Sequence, residues 1–375
     1  MKNKFEDDVL RKRLNDRTED VRGQYFRDQT AIVHSMPFRR LKHKTQVFFD
    51  PDNDHVCTRI EHVMHVATTA ATICKGINED GNDLSLELAT AIGLGHDLGH
   101  APFGHAGETT LSDLLRHNNK FFHEVNGLRV VDFLANNGKG LNLTYAVRDG
   151  IICHNGEEFE QHIVPRTKEI NLSDIKDKKN YPMTYEACIV RMSDKIAYLG
   201  RDIEDALIAN IITTEKLPEP LKEHSDNINA YVINKLVLDV IDSSLKTGKI
   251  SLSDEAFELL NTMKNFNYKI IYKSKVLLDY IDYCEKIIKA LFDFIGDKYS
   301  EKGYDLERYE NSSTTLEIMF GKYIEKMKDS YIQEEAVPYQ IVADYISGMT
   351  DKYALDCMRQ ITIPKPISFS PHKTS

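Results

Sequence analysis

No Cys-x-x-Cys pair occurs in the sequence; Cys57, Cys74, Cys153, Cys188, Cys284 and Cys357 lie far apart. That spacing excludes a zinc ribbon and a disulfide framework and points to a reducing compartment. Several stand in apolar stretches, where cysteine serves as a small core residue. No run reaches the roughly 18–20 apolar residues of a membrane span. The opening MKNKFEDDVLRKRL lacks the apolar stretch of a signal peptide. A cytoplasmic protein without membrane association is expected. Positive charge is also short: Lys and Arg total 48 against 58 Asp and Glu, a net charge of -10. General nucleic-acid binders are usually basic. One local cluster, FRRLKHK from Phe38 to Lys44, keeps single-stranded nucleic acid open as a side partner, although a lone basic run reads more simply as a solvated helix face. Strict apolar–polar alternation is scarce, and there is no internal repeat or heptad array.

What is present is a helical pattern almost throughout. The 375 residues, 41% hydrophobic and 28% charged, suffice for one large domain or a domain with a sizeable appendage, and for a core that needs no staples. From Val63, apolar residues recur at Val66, Ala67, Ala70, Ile73 and Cys74, one face of a helix that Gly76 can end. A second helix is expected from Ser85, its N-cap, to about Gly99, with Pro102 beyond. Others are predicted from about Gly107, over Glu124 to Asn136 and over Tyr185 to Ala209. Residues 161–182 are polar and read as a long surface loop. After a break at LPEPLKEH, helices are expected over about 227–245, 253–265, 271–296, 312–329 and 336–361.

The chemistry concentrates in GHDLGHAPFGHAGE, Gly95 to Glu108, with three histidines and two carboxylates. His96 and Asp97 fall at the end of an apolar helix. Gly99, Pro102 and Gly104 then force an irregular turn carrying His100 and His105, and catalytic groups favour such loops. Helix capping would explain some polar residues here, but not three imidazoles. An adjacent imidazole and carboxylate suit a divalent cation, which needs further ligands. RIEHVMH offers His62 and His65 upstream, and RMSDKIAYLGRDIEDAL places Asp194 inside an apolar helix, where a buried carboxylate requires a partner. His62, His96, Asp97 and Asp194 would form a two-histidine, two-carboxylate site from three helices, with positions left for water and substrate oxygens. The residues alone leave the choice between His62 and His65 open. Arg59 lies one turn before His62, and a guanidinium suits phosphate oxygens. Asp194, Tyr198 and Asp202 share one helix face, odd for a core and natural for a polar cleft.

The order H…HD…D resembles the HD phosphohydrolase superfamily. The surrounding segments resemble its deoxyguanosinetriphosphate triphosphohydrolase-like (dNTP triphosphohydrolase) branch: RTEDVRGQYFRDQTAIVHSMPFRRLKHKTQVF, TRIEHVMHVA, AIGLGHDLGHAPFGHAGE, FFHEVNGLRVV, RMSDKIAYLGRDIEDAL and YISGMTDKYAL, from about Arg17 to Leu355. The resemblance implies an all-α fold, an HD-domain helical bundle with additional C-terminal helices. The expected division is an N-terminal extension over 1–20, a catalytic core over 21–216, a C-terminal helical region over 217–361 and a flexible tail over 362–375. It implies that His62, His96, Asp97 and Asp194 bind the metal, with Mn²⁺ or Mg²⁺ first and Fe²⁺, Co²⁺ or Ni²⁺ as alternatives. His105 and Glu108 match a catalytic pair, and His100 and His123 further active-site histidines. Arg59 matches a phosphate contact. Gln46 and Val47 match the place of the sugar 3′-hydroxyl. Lys195, Tyr198 and Asp202 match contacts to the phosphate tail and deoxyribose, and Tyr272 a tyrosine that stacks on the sugar.

The implied reaction is hydrolysis of a dNTP to deoxynucleoside and inorganic triphosphate by water attack at the α-phosphorus. His105 is the expected proton donor to the leaving oxygen. A homo-oligomer, a hexamer by the resemblance, and a dNTP activator at a second site are further expectations. Two alternatives stand beside this reading: an HD-type 5′-nucleotidase acting on deoxynucleoside monophosphates, and a nucleotide-sensing or single-strand-binding protein. The base preference and the group that activates the water stay open.

Overall fold

The computed structural model describes residues 1–48, 56–115, 120–155 and 158–363. The fold is all-α. Its longer helices are α1 (Gly23–Val33), α2 (Arg59–Asn78), α3 (Leu86–Gly95), α4 (Gly104–Leu115), α5 (His123–Arg129), α6 (Tyr145–Ile152), α7 (Tyr185–Ile208), α8 (Ile228–Thr247), α9 (Asp254–Phe266), α10 (Lys275–Lys302), α11 (Thr315–Gln333), α12 (Pro338–Ser347) and α13 (Asp351–Thr362). The one sheet among the described residues is an antiparallel ribbon, β1 (His162–Ile163) on β2 (Ile250–Ser251), with His162 opposite Ser251.

Local chemistry sets the helix ends. The Glu61 carboxylate accepts from the Thr58 backbone N–H at 2.7 Å and so closes the first turn of α2. Ser85 caps α3 by accepting from the Leu88 N–H, and Thr184 caps α7 by accepting from Ala187. Helix α2 does not end at Gly76. It continues to Asn78, and the missing Cβ makes room for α8 instead, since a Cβ at Gly76 would stand 2.5 Å from Ile241 Cδ1. Helix α3 stops at Gly95, earlier than expected, because the residues after it turn toward the site. Helix α4 starts at Gly104 rather than Gly107. The single helix expected over 336–361 is two: Thr350 accepts from the Tyr353 N–H and starts α13 afresh after Gly348. Helix α1 and the short helix Met36–Arg40 add to the helices expected from the sequence. Segment 161–182 is largely irregular, as expected, but holds β1 and a single 3₁₀ turn at Leu172–Asp174. The FRRLKHK cluster is not one solvated face. Lys44 is buried and donates to the carbonyls of His100 and Ser347.

Two apolar cores result. The larger joins α2, α3, α6, α7, α8 and α9 and includes Val66, Ile73, Ile92, Ile151, Ile196 and Val232. Leu10 belongs to it, so the N-terminal segment is packed down; the Tyr145 N–H donates to the Lys12 carbonyl at 2.7 Å, and Arg13 meets the buried Asp28 at 2.6 Å. The second core unites α4, through Leu111 and Leu115, and the preceding Phe103 with Ile288, Phe320, Ile341 and Ile346 of the C-terminal helices. All six cysteines are buried and unpaired. No described helix is long and apolar enough to cross a membrane. The tail expected over 362–375 lies outside the described residues beyond Ile363.

The tightest helix contact is between α3 and α2. A Cβ on Gly93 would stand 2.6 Å from the Ala67 Cα, so only glycine permits this approach. Gly93→Ala is expected to lower stability by about 1–3 kcal/mol through overpacking. Gly296 in α10 has nothing within 4 Å, so Gly296→Ala is expected to raise stability by about 0.5–1 kcal/mol. Urea midpoints of the two variants check both signs.

Candidate active site

Three helices deliver four buried donors to one point. His62 sits in the first turns of α2, His96 and Asp97 follow α3, and Asp194 lies midway along α7. His62 Nε2 is 3.3 Å from His96 Nε2 and 3.0 Å from Asp194 Oδ1. His96 Nε2 is 3.7 Å from Asp194 Oδ1 and 3.6 Å from Asp97 Oδ1, and Asp97 Oδ2 is 3.8 Å from His62 Nε2. Donor atoms about 2.1 Å from a shared ion, set roughly at right angles, lie about 3 Å apart. The cluster is therefore spaced to hold a divalent metal. His96 Nδ1 donates to the Gly93 carbonyl at 2.7 Å, which leaves the Nε2 lone pair facing the cluster. Burial alone would raise the Asp97 pKa, but His100, His96 and Arg59 together hold the carboxyl well below its usual range. His65 stands outside this group, so His62 is the imidazole of α2 that meets His96 and Asp194.

The turn after Asp97 lies directly on α5. A Cβ at Gly99 would be 2.1 Å from the His123 carbonyl oxygen, and Asn126 Nδ2 donates to the Gly99 carbonyl at 2.7 Å. His100 consequently stacks on His123, with ring centres 3.8 Å apart, while its Nε2 meets Asp97 Oδ1 at 3.1 Å. Glu108 is buried and shared. Its Oε2 accepts from His123 Nδ1 at 2.8 Å and faces His105 Nδ1 at 3.4 Å, and its Oε1 accepts from the His123 backbone N–H at 3.1 Å. His105 itself is 61% exposed, the outermost member. The expected His105–Glu108 pair is thus the looser half of a His105–Glu108–His123 row.

That row has a fourth member that the sequence reading missed. His154 Nδ1 donates to the Ile151 carbonyl at 2.6 Å, so its Nε2 must accept from His123 Nε2, 3.1 Å away. His123 then donates from both nitrogens and is an imidazolium. Burial pulls His123 down, but Glu108 and then Glu124 outweigh it and push it up to about 9. Burial, followed by His96 and His123, takes His154 down to about 3, consistent with a neutral ring. The signal was available: His154 follows the end of the buried helix α6 just as His96 follows α3.

Of the remaining expected residues, Arg59, Lys195 and Asp202 are buried. Arg59 Nη1 meets Asp97 Oδ2 at 2.6 Å, and its Nε is buried without a hydrogen bond among the described residues. Gln46 and Val47 are half-buried, with Gln46 Oε1 lacking a partner among the described residues and the Gln46 backbone beside Gly104. Asp202 is buried and accepts from the Tyr272 hydroxyl at 2.5 Å. Burial pushes Asp202 up to about 7, against the pull of Tyr272 and, further off, His62 and Arg59. Tyr198 is half-buried on the same side of α7. Lys195 is fully buried, and its Nζ meets Glu160 Oε2 at 3.2 Å.

Comparison with known proteins places this geometry. The HD domain family matches residues 59–199, which hold all four donors, and the phosphohydrolase-associated domain family matches residues 250–360. Proteins named deoxyguanosinetriphosphate triphosphohydrolase-like are 35% identical in Caldanaerobacter subterraneus subsp. tengcongensis, over 92% of this chain and 87% of theirs. Those of Desulfatibacillum aliphaticivorans and Clostridium tetani are 33% and 34% identical, over 92% and 95% of this chain and 90% of each relative. The chain belongs to this deoxyguanosinetriphosphate triphosphohydrolase-like family of HD-domain phosphohydrolases. It is a hydrolase.

In this HD-domain hydrolase the associated C-terminal helices brace the turn that runs from Gly99 to Gly104. Asp351, buried at the start of α13, accepts from the Thr45 N–H at 2.7 Å with Oδ2 and from the Phe103 N–H at 2.8 Å with Oδ1. One carboxylate thereby fixes both the Gln46 segment and the turn before His105, where Phe103 takes φ +64°. Asp351→Asn turns one acceptor into a donor that faces an N–H. Hydrolytic turnover is expected to fall about 10- to 100-fold from misplacement of the turn, with metal content retained. Unchanged turnover would remove Asp351 from this account.

Proposed function

We propose that the chain is a metal-dependent dNTP triphosphohydrolase, releasing deoxynucleoside and inorganic triphosphate. The observation that carries this reading is the adjacency of two devices: the His62, His96 and Asp194 group, spaced for a metal ion with Asp97 adjoining it, and, beside it, a row of acid–base groups ending in exposed His105. The near-full-length relatives supply the substrate class. His62, His96, Asp97 and Asp194 would hold the ion, with Mn²⁺ or Mg²⁺ first and Fe²⁺, Co²⁺ or Ni²⁺ as alternatives. When bound, the ion polarises the α-phosphoryl oxygen and offsets its charge.

The chain's own residues do the rest. Arg59, anchored on Asp97 through Nη1, and Lys195 offset phosphate charge. Water forms a bond to the α-phosphorus as the bond to the sugar O5′ breaks, and O5′ takes a proton. His105 turns Nδ1 to Glu108, so Nε2 is the atom that delivers that proton. Glu108 orients the ring, and the His123 imidazolium, stacked under His100, holds Glu108 in place from behind. Gln46, Val47, Tyr198, Asp202 and Tyr272 would line the sugar end, with Tyr272, joined to Asp202, set against the deoxyribose. The reading includes a catalytic core over 21–216 with 217–361 packed on it, a cytoplasmic homo-oligomer and a second-site dNTP activator.

A hydrolysis panel over the four dNTPs singly and mixed, GTP and dGMP, with Mn²⁺ and chromatographic separation, tests the proposal. Deoxynucleoside plus triphosphate is the expected product pair, and activity only in mixtures would point to the activator. Phosphate from dGMP alone would favour the nucleotidase reading; metal bound without turnover would favour the sensor. His105→Ala is expected to lose about 10²- to 10⁴-fold in kcat with metal retained, and near-normal turnover would sink its role. His62→Ala is expected to lose the metal itself, read by elemental analysis.

A further inference from the structure

Two cations on α7 are occupied by a carboxylate of the chain itself. Arg191 and Lys195 stand four residues apart, on one helix face, with side chains 1% and 0% exposed. Glu160 bridges them. Its Oε1 accepts from Arg191 Nη2 at 2.7 Å, and its Oε2 accepts from Arg191 Nε and Lys195 Nζ, both at 3.2 Å. Arg191 also donates to the carbonyls of Cys153 and Asn180 at 3.3 Å, so its guanidinium is fixed by main chain as well as by Glu160. The second acid that reaches it, Glu158, is 57% exposed at 3.3 Å. A third cation, Lys264, lies 4.0 Å from the centre of the Phe159 ring between the two acids. The segment is therefore richer in buried positive charge than in buried negative charge.

A guanidinium fork together with an ammonium group holds a carboxylate here, and the same donors suit a phosphoryl group. Lys195 lies close enough to Asp194 of the donor set to feel its charge, so an anion seated beside that set comes within reach of Lys195. Yet Lys195 is wholly covered, while the Glu160 side chain is 17% exposed and is the member able to leave. Removing Glu160 without replacement would leave Arg191 to the exposed Glu158 and take from Lys195 the carboxylate it meets; another anion can take that place.

We infer that Glu160 is an internal anion that competes with the substrate's phosphate tail for Arg191 and Lys195. This rests on the proposed phosphate chemistry of the site and adds an exchange: the phosphate tail takes over the cations as the carboxylate is displaced. Glu160 thereby sets phosphate affinity.

The probe is magnesium tripolyphosphate, titrated calorimetrically into the full chain. Glu160→Gln is expected to bind it about tenfold tighter than wild type, since a charge-assisted competitor is gone. Glu160→Asp, which keeps the charge, is expected to stay within about threefold of wild type. Equal or weaker binding by folded Glu160→Gln overturns the inference, as does absence of binding to every form. Hydrogen exchange of residues 158–163 in the wild type provides a test without substitution. Tripolyphosphate is expected to speed exchange there as Glu160 is released, and slowed or unchanged exchange overturns the inference. Turnover of dNTPs by the same wild-type preparation separates the two levels. Turnover without the affinity effect defeats only the exchange, and the affinity effect without turnover defeats only the dNTP reading.

Discussion

Where Gly93 meets Ala67, two helix backbones come closer than any side chain would allow. That approach sets the distance between α2 and the end of α3, and so the 3.3 Å between His62 and His96. Asp194 joins from α7, itself packed on both helices. The donor set is thus a consequence of backbone packing, held by rigid elements rather than by flexible loops.

Bringing two carboxylates and several imidazoles out of water carries a large desolvation cost, and the surroundings offset it residue by residue. Asp97 has Arg59, His100 and His96 around it. His123 has Glu108 on one nitrogen and His154 on the other. The second row repeats a device of the first: the main-chain carbonyl that takes the His154 Nδ1 proton does for His154 what Gly93 does for His96. In each case a helix-end carbonyl chooses the tautomer, and the other nitrogen faces the functional group.

The C-terminal helices are part of this arrangement. Helix α4, which carries Glu108, has its apolar side in the second core, with Ile288, Phe320 and Ile346. Asp351 and Lys44 then tie the turn between His100 and Gly104 to α12 and α13 through main-chain groups. The 59–199 and 250–360 family matches therefore meet at that turn.

The helical class, most helix bodies and the dense Gly95–Glu108 stretch were legible because periodicity and local residue chemistry are written along the chain. So was the capping of α3 by Ser85. Helix ends that respond to distant partners were not: Gly76 looked like a terminator but serves Ile241. His154, Asp351 and Glu160 were missed for one reason. Each acts through a contact with residues 31 to 306 positions away, and such pairings leave no local pattern. By itself the sequence determined which side chains could bind a metal, carry a proton or meet a phosphate. Tertiary packing alone decided that Glu108 is shared with His123 and that Lys195 lies under Glu160, because those choices depend on distances between segments far apart in the chain.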